Sequence, residues 1–361
     1  MRPDINENAL GRPAAPADER VLIYGAGAIG SVLGAYLSRA GLDVTLCTRN
    51  AAHAEAMNAK GLTVTGKAQL TVPVRAALPQ ALTGPYTLIF LVTKVVDNSA
   101  TAAFLQPLLH PAHGLLCTLQ NGLPEPALAR ALGAHRVLGG TVAWGATLTA
   151  PGECTLTSEP EAMTFGMGGL PEVPAQDISR VRDVLAAMCP VEMEKDLLGA
   201  RWTKLLINAT FSGLSTVLGG SFGDVVLPQE ARNLALRVMR ECFTVGLAGG
   251  VHFAPIQGKD PVRLFHWRGP LKRWLAFQLL PVAMKKHLAI TPSLLKDIRL
   301  GRPTEIDAIN GAVCAEGRRL GVPTPFNDRI VQLVHAVEAG TTPPGPHNLA
   351  AFSDLLTRSP F

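Results

Sequence analysis

The chain has no C-x-x-C pair, no apolar run approaching the ~20 residues that cross a bilayer, and little net charge outside one short segment. Each absence removes a class of function. The six cysteines (Cys47, Cys117, Cys154, Cys189, Cys242 and Cys314) stand singly, several inside apolar runs. That spacing predicts buried free thiols in a reducing, cytoplasmic compartment. His110 and His113 form the one H-x-x-H pair, in a Pro-containing loop without further ligands nearby, so no metal site is expected. The stretch up to about Glu19 is polar and rich in Ala and Pro. It lacks the basic start and apolar centre of a signal peptide and is expected to be a flexible tail over residues 1–19. Formal net charge is +5, but Lys259 to Lys286 holds seven basic residues against Asp260 alone, so the remainder is close to neutral. A nucleic-acid partner is therefore not expected. What is present is a chain of 361 residues, 47% apolar, enough for two domains that each bury a core.

The organising stretch is VLIYGAGAIGSVLGAYLSRAGLDVTLCTR, residues 21–49. Val21 to Tyr24 reads as a buried strand, Ser31 to Arg39 as a helix and Asp43 to Cys47 as a second strand. Gly25, Gly27 and Gly30, with Ala28 and Ile29 between them, give G-x-G-x-x-G at the first turn of a βαβ unit. In that context the turn binds a dinucleotide: the glycines admit the tight turn, the pyrophosphate and close helix–strand packing, and the helix N-terminus offers its N–H groups. NAD binders carry Asp or Glu about 20 residues past the glycines. Here Leu46 to Asn50 holds no acid and offers Arg49, flanked by Thr48 and Asn50, for a 2′-phosphate. The expected cofactor is NADP(H).

Apolar runs ending at Lys94 (TLIFLVTK) and at Asn121 (LLCTLQN), with helices around 51–59, 100–109 and 126–132, continue the alternation and predict a doubly wound parallel sheet. Ligands in such sheets bind at strand carboxyl ends, where Gly25 to Gly30, Arg49, Lys94 and Asn121 fall. Between Ala146 and Gly169 antiparallel strands are expected to extend the sheet. Past Lys195 helices dominate. The expected division is an NADP-binding domain over 20–195 and a helical domain over 196–361.

In WTKLLINATFSGLS, Lys204 and Asn208 lie four apart on one helical face among apolar residues. A half-buried lysine there suits a proton donor of lowered pKa, although a snorkelling lysine satisfies the same pattern. Glu305 and Asp307 open a predicted helix after Pro303.

GAGAIG, LVTK, LQNG, KLLIN and SLLKDI…RPTEID occur in an order that resembles the ketopantoate reductase (2-dehydropantoate 2-reductase) family, from about Val21 to Val337. The resemblance implies a Rossmann-type α/β domain followed by an all-helical domain of the 6-phosphogluconate-dehydrogenase-like type. It implies that Lys204 is the general acid and that Glu305 positions it or the substrate hydroxyl. It places Lys94 and Asn121 at the nicotinamide–substrate junction, and Asn208, Ser212 and Ser293 against substrate. The expected partners are a small 2-oxo acid or ketone and, in assembly, a homodimer. Three positions depart from the family pattern: amides are replaced by Ser212, Phe222 and Ile290. This predicts weak recognition of ketopantoate and a bulkier, more apolar substrate. Two alternatives stand beside this reading: an NADP-linked enzyme for another carbonyl or alcohol, and a non-catalytic nucleotide sensor, which would need no proton donor.

Overall fold

The computed structural model describes residues 19–358 except 257. They fall into two compact units. The first runs to Gln120 and resumes over Pro124–Leu197; the second takes Asn121–Leu123 and the chain from Leu198 onward. The tail expected up to residue 19 lies outside the described residues save its last member. Glu19 is not part of a free tail: it is buried, and its carboxylate accepts from Thr87 Oγ1 at 2.7 Å.

The first unit opens with β1 (Arg20–Tyr24), α1 (Ala28–Arg39), β2 (Asp43–Cys47) and α2 (Ala51–Lys60). Three short strands follow, β3 (Leu62–Gly66), β4 (Leu70–Val72) and β5 (Arg75–Ala77). Then come β6 (Leu88–Leu91), α3 (Asn98–Leu105), β7 (Leu115–Thr118), α4 (Glu125–Leu132) and β8 (Val137–Val142). The unit closes with β9 (Ala146–Ala150), β10 (Glu153–Leu156), β11 (Phe165–Gly169), α5 (Ala175–Ala186) and β12 (Val191–Met193).

Eight strands form the main sheet in the order β12-β11-β8-β7-β6-β1-β2-β5. From β5 to β8 neighbours are parallel; β11 runs antiparallel to β8, and β12 pairs parallel with β11. Strands β1, β6 and β7 are buried from end to end, apart from Arg20, as the inner strands of a sheet covered on both faces must be. The region 146–169 is therefore only partly an extension of this sheet. β11 extends it, whereas β9 and β10 join β3 and β4 in a separate four-stranded sheet. Its alternating pattern explains the split. Leu62, Val64, Cys154 and Leu156 point into the core shared with α1, while Thr63, Thr65, Thr71 and Thr155 pair their hydroxyls outside it, at 3.1 Å and 3.0 Å.

The second unit is helical. It comprises α6 (Leu197–Ile207, its first residue still in the first unit), a π-helical segment (Asn208–Gly213), α7 (Leu214–Leu218), α8 (Phe222–Val226) and α9 (Gln229–Ala248). The basic stretch forms α10 (Pro261–Phe265) and α11 (Pro270–Met284); α12 (Ser293–Arg299), α13 (Asn310–Leu320), α14 (Pro325–Glu338) and α15 (Ser353–Arg358) complete it. Its core gathers Trp202, Phe211, Phe222, Phe243 and Phe326 with the aliphatic faces of α9, α13 and α14. α11 buries Ala276 and Leu280 and leaves Leu271, Trp274, Leu275 and Val282 more than half exposed. No helix of the described residues is long and apolar enough to cross a membrane.

Candidate active site

In the first unit, the glycine turn sits where β1, β2 and β6 end. Gly25 N and Ala26 N both donate to Cys47 O, at 3.1 Å and 2.7 Å, which ties the turn to the end of β2. Gly25 has φ +116°, and a Cβ there would stand 2.6 Å from Thr93 N, so the turn also abuts the residue before Lys94. A Cβ on Gly30 would stand 2.2 Å from Gly25 O, which enforces glycine for close packing. Gly27 differs. It is exposed, and a Cβ on it would meet no protein atom within 4 Å. The protein's own packing gives no reason for glycine at this N-cap of α1, whereas a phosphate lying against the backbone does. No acidic residue stands in the first turn of α1, so its N–H groups and dipole are open to an anion.

Two residues past β2, exposed Arg49 precedes α2. Asn50 is committed to capping that helix, its Oδ1 accepting from His53 N at 3.2 Å, and Thr48 Oγ1 accepts from Asn50 N. Arg49 is thus the cation at this strand end. The residues present suit a dinucleotide with a phosphate on its ribose. Lys94 is exposed three residues past β6.

Sequence reasoning missed Gln120, which is 3% exposed. Its amide donates to Asn98 Oδ1 and Thr93 Oγ1, at 3.1 Å and 3.4 Å, and its Oε1 accepts from Thr118 Oγ1. A polar residue ending an otherwise apolar strand was the available signal.

In the second unit the geometry centres on Lys204, in the last turn of α6. Asn121 Nδ2 donates to Glu305 Oε2 at 3.2 Å, so the segment Asn121–Leu123 belongs with this unit. Lys204 is half-buried between Thr203 and Leu205, and its pKa is lowered to about 8. Burial is the main cause, the charge of Arg201 one turn earlier adds to it, and Glu305 opposes both. Arg201 is only 1% exposed and was not anticipated; a like charge at i−3 in an apolar helix was its sign. Asn208 opens the π-helical segment and Ser212 is buried within it, so the expected uniform α-helical face from Lys204 is interrupted. π segments recur at functional sites because they re-aim side chains. Glu305 does not open a long helix. It precedes a 3₁₀ turn (Ile306–Ala308), and α13 starts only at Asn310. Ser293 is exposed at the first residue of α12.

Phe222 does not present an apolar wall. It is 6% exposed and its ring packs against Phe211 at 5.5 Å inside the helical core. Ile290 is 42% exposed, and its carbonyl accepts from Phe222 N. No cluster of three metal-ligating side chains exists among the described residues, and the described cysteines are free and buried. His110 and His113 stack on one another at 3.5 Å.

Residues 21–169 match the family described as ketopantoate reductase PanE/ApbA, and residues 196–338 match its C-terminal part. The 2-dehydropantoate 2-reductase of Mesorhizobium japonicum is 30% identical to this chain, over 89% of it and 99% of the relative. The chain belongs to the ketopantoate reductase family. Ketopantoate reductases are oxidoreductases acting on the CH–OH/C=O couple, and they use NADPH. Among solved structures, the ketopantoate reductase from Ralstonia eutropha JMP134 superposes with a TM-score of 0.73 at 26% identity, covering 89% of this chain and 98% of that one. A D-mandelate dehydrogenase solved with NADH and anilino(oxo)acetate reaches 0.75 at 23% identity, covering 89% and 98%, and shares the fold.

Proposed function

We propose that this chain reduces a 2-oxo acid to the 2-hydroxy acid with NADPH, with Lys204 as proton donor and Glu305 positioning it. The observation that carries the reading is the Lys204–Glu305–Asn121 arrangement: a half-buried ammonium whose pKa falls to about 8, beside a carboxylate held by an amide. In the first unit, Gly25 to Gly30 (with Ala28 and Ile29) would hold the pyrophosphate and Arg49 the 2′-phosphate, with Lys94 nearby; in the second, Asn121, Asn208, Ser212 and Ser293 would contact nicotinamide or substrate. Bound NADPH supplies the hydride. As the carbonyl carbon gains it, charge builds on the oxygen, and Lys204 Nζ stabilises that charge and gives up its proton. Burial and Arg201 favour the neutral amine left behind, while Glu305 favours its reprotonation. Family membership and the donor set favour this reaction over a non-catalytic role.

The substrate is proposed to be more apolar beside the carbonyl than ketopantoate. Exposed Ile290 and the small hydroxyl of Ser212 support this, where the family pattern places amides. Phe222 contributes only through the core. Steady-state reduction with NADPH tests the reading across ketopantoate and 2-oxo acids with aliphatic and aromatic side groups. Ketopantoate turned over at ~10⁴ M⁻¹s⁻¹ or better would overturn the substrate assignment. Absence of any turnover, together with no thermal shift from NADPH, would overturn the reaction.

A further inference from the structure

The second unit holds a polar chain that no step of the proposed reaction uses. Asn310 and Asn327 are both fully buried. Asn310 Nδ2 donates to Ala209 O at 3.0 Å and to Asn327 Oδ1 at 2.9 Å. Asn327 Nδ2 donates to Glu241 Oε2 at 2.7 Å, and Glu241 also accepts from Asn327 N and Phe326 N, each at 2.9 Å.

Burying two amides beside the half-buried Glu241 is costly, the more so because Asn310 Oδ1 is left without a hydrogen-bond partner, so their placement needs a reason. The reason lies at Ala209. In an α-helix its carbonyl would accept from Gly213 N, four residues on. The π register of Asn208–Gly213 moves that ladder by one residue, and Asn310 supplies a side-chain donor to this buried carbonyl. Gly213 makes room for the approach: a Cβ there would stand 2.6 Å from Asn310 Oδ1. Asn310 lies five residues past Glu305, and Ala209 five past Lys204.

We propose that Asn310 is a positioning residue, whose amide clamps the π-helical segment after Lys204 to the turn carrying Glu305 and so sets the placement of the ammonium against the carboxylate. Asn327 and Glu241 hold the amide in its orientation. The proposal rests on Lys204 being the proton donor, and the experiment separates the two.

The rate of reduction is measured against pH with saturating NADPH for the unmutated protein, Asn310→Ala, Gly213→Ala and Lys204→Met. Asn310→Ala removes the clamp. Gly213→Ala keeps the amide but pushes it aside, its Cβ standing 2.6 Å from Asn310 Oδ1 and 2.9 Å from Ile330 Cγ2. Both are expected to lower kcat by about tenfold or more, the scale of a misplaced catalytic group. KM for NADPH should stay within about twofold, since the cofactor cradle is elsewhere. The basic limb of the profile should move to lower pH, because the carboxylate's support of the ammonium weakens; a change that merely reduced the folded fraction would leave that limb in place. If Asn310→Ala does not fold, Gly213→Ala decides alone. A limb removed by Lys204→Met but unmoved in a folded Asn310 or Gly213 variant, with kcat within about twofold, overturns the positioning role only. A limb that survives Lys204→Met overturns the proton-donor reading, and the positioning role with it.

Discussion

Lys204 lies in a helix where Trp202, Leu205 and Leu206 are at most 3% exposed, so a charge there is poorly solvated and its pKa drops to about 8. A proton donor must be protonated to act. Reduction is therefore expected to hold its rate below pH 8 and to fall as pH rises through about 8. Lys204→Ala should cost about a hundredfold or more in kcat with NADPH affinity nearly intact; an unchanged rate on the preferred 2-oxo acid would remove Lys204 from the mechanism. Arg49 carries the second prediction at this scale. Removing a charge-assisted partner of a phosphate costs about 1.5–3 kcal/mol, so Arg49→Ala should weaken NADPH by roughly ten- to a hundredfold and NADH far less. Titration of both cofactors by fluorescence checks it, and equal affinities in the unmutated protein would discard the role. Both proposals start from a residue of the wrong type for its surroundings, which the sequence alone shows: a cation in an apolar helix, and a cation where an acid is customary. Phe222 was misjudged because an aromatic ring in a substrate-side loop and one in a core read identically until its neighbour Phe211 is known.

Most helices and strands formed where periodicity put them, but their ends and the helix expected at Glu305 were decided by partners distant in sequence. α14 shows this. Its N-cap Thr324 spends its hydroxyl on Asp328, and the N–H groups of Phe326 and Asn327 are satisfied by Glu241 of α9 instead. Glu241→Gln keeps the shape but turns an N–H donor toward N–H donors. It should destabilise the protein by about 1–3 kcal/mol in urea titration, the cost of a buried unsatisfied donor. No measurable loss would mean that water reaches this helix end. The π-helical segment was equally unreadable, since its sequence is compatible with an unbroken α-helix and its register is supported by Asn310, about a hundred residues away. The second sheet escaped notice for a related reason: β3 and β10 are parallel partners ninety residues apart.

At the scale of the whole chain, the two units differ in what stabilises them. The first buries a polar link within its core: His53 Nδ1 accepts from Gly152 N at 2.8 Å, which leaves Nε2 to donate to Ser31 Oγ at 3.1 Å. Burial lowers the pKa of His53 from its ordinary 6.5. The unfolded chain then takes up a proton at higher pH than the folded one. This contribution is complete above pH 6.5 and is lost as pH falls from there through the lower folded value. Urea unfolding from pH 7.5 to 5 should show that decline, and His53→Gln should flatten it; equal slopes would exclude His53 as the cause. In the second unit, Leu271, Trp274 and Leu275 are exposed beside a cavity of about 770 Å³ that contains none of the site residues. Leu271→Glu with Leu275→Glu should leave the unfolding free energy within about 0.5 kcal/mol, as surface substitutions do. A larger, concentration-dependent loss would show that a second copy covers that face. The sequence by itself determined the βαβ opening, the cofactor class and the passage from alternating strands to helices, which it put at about residue 195, and it singled out Lys204 as a cation in an apolar helix. These follow from local periodicity and from residue types out of place. Only the tertiary structure decided that Asn121 joins Glu305, that β9 and β10 leave the main sheet, and that Asn310 bonds Ala209 of the π-helical segment. Each depends on two segments far apart in the chain meeting, and a hydrogen bond or a charge interaction exists only once folding has fixed the distance between them.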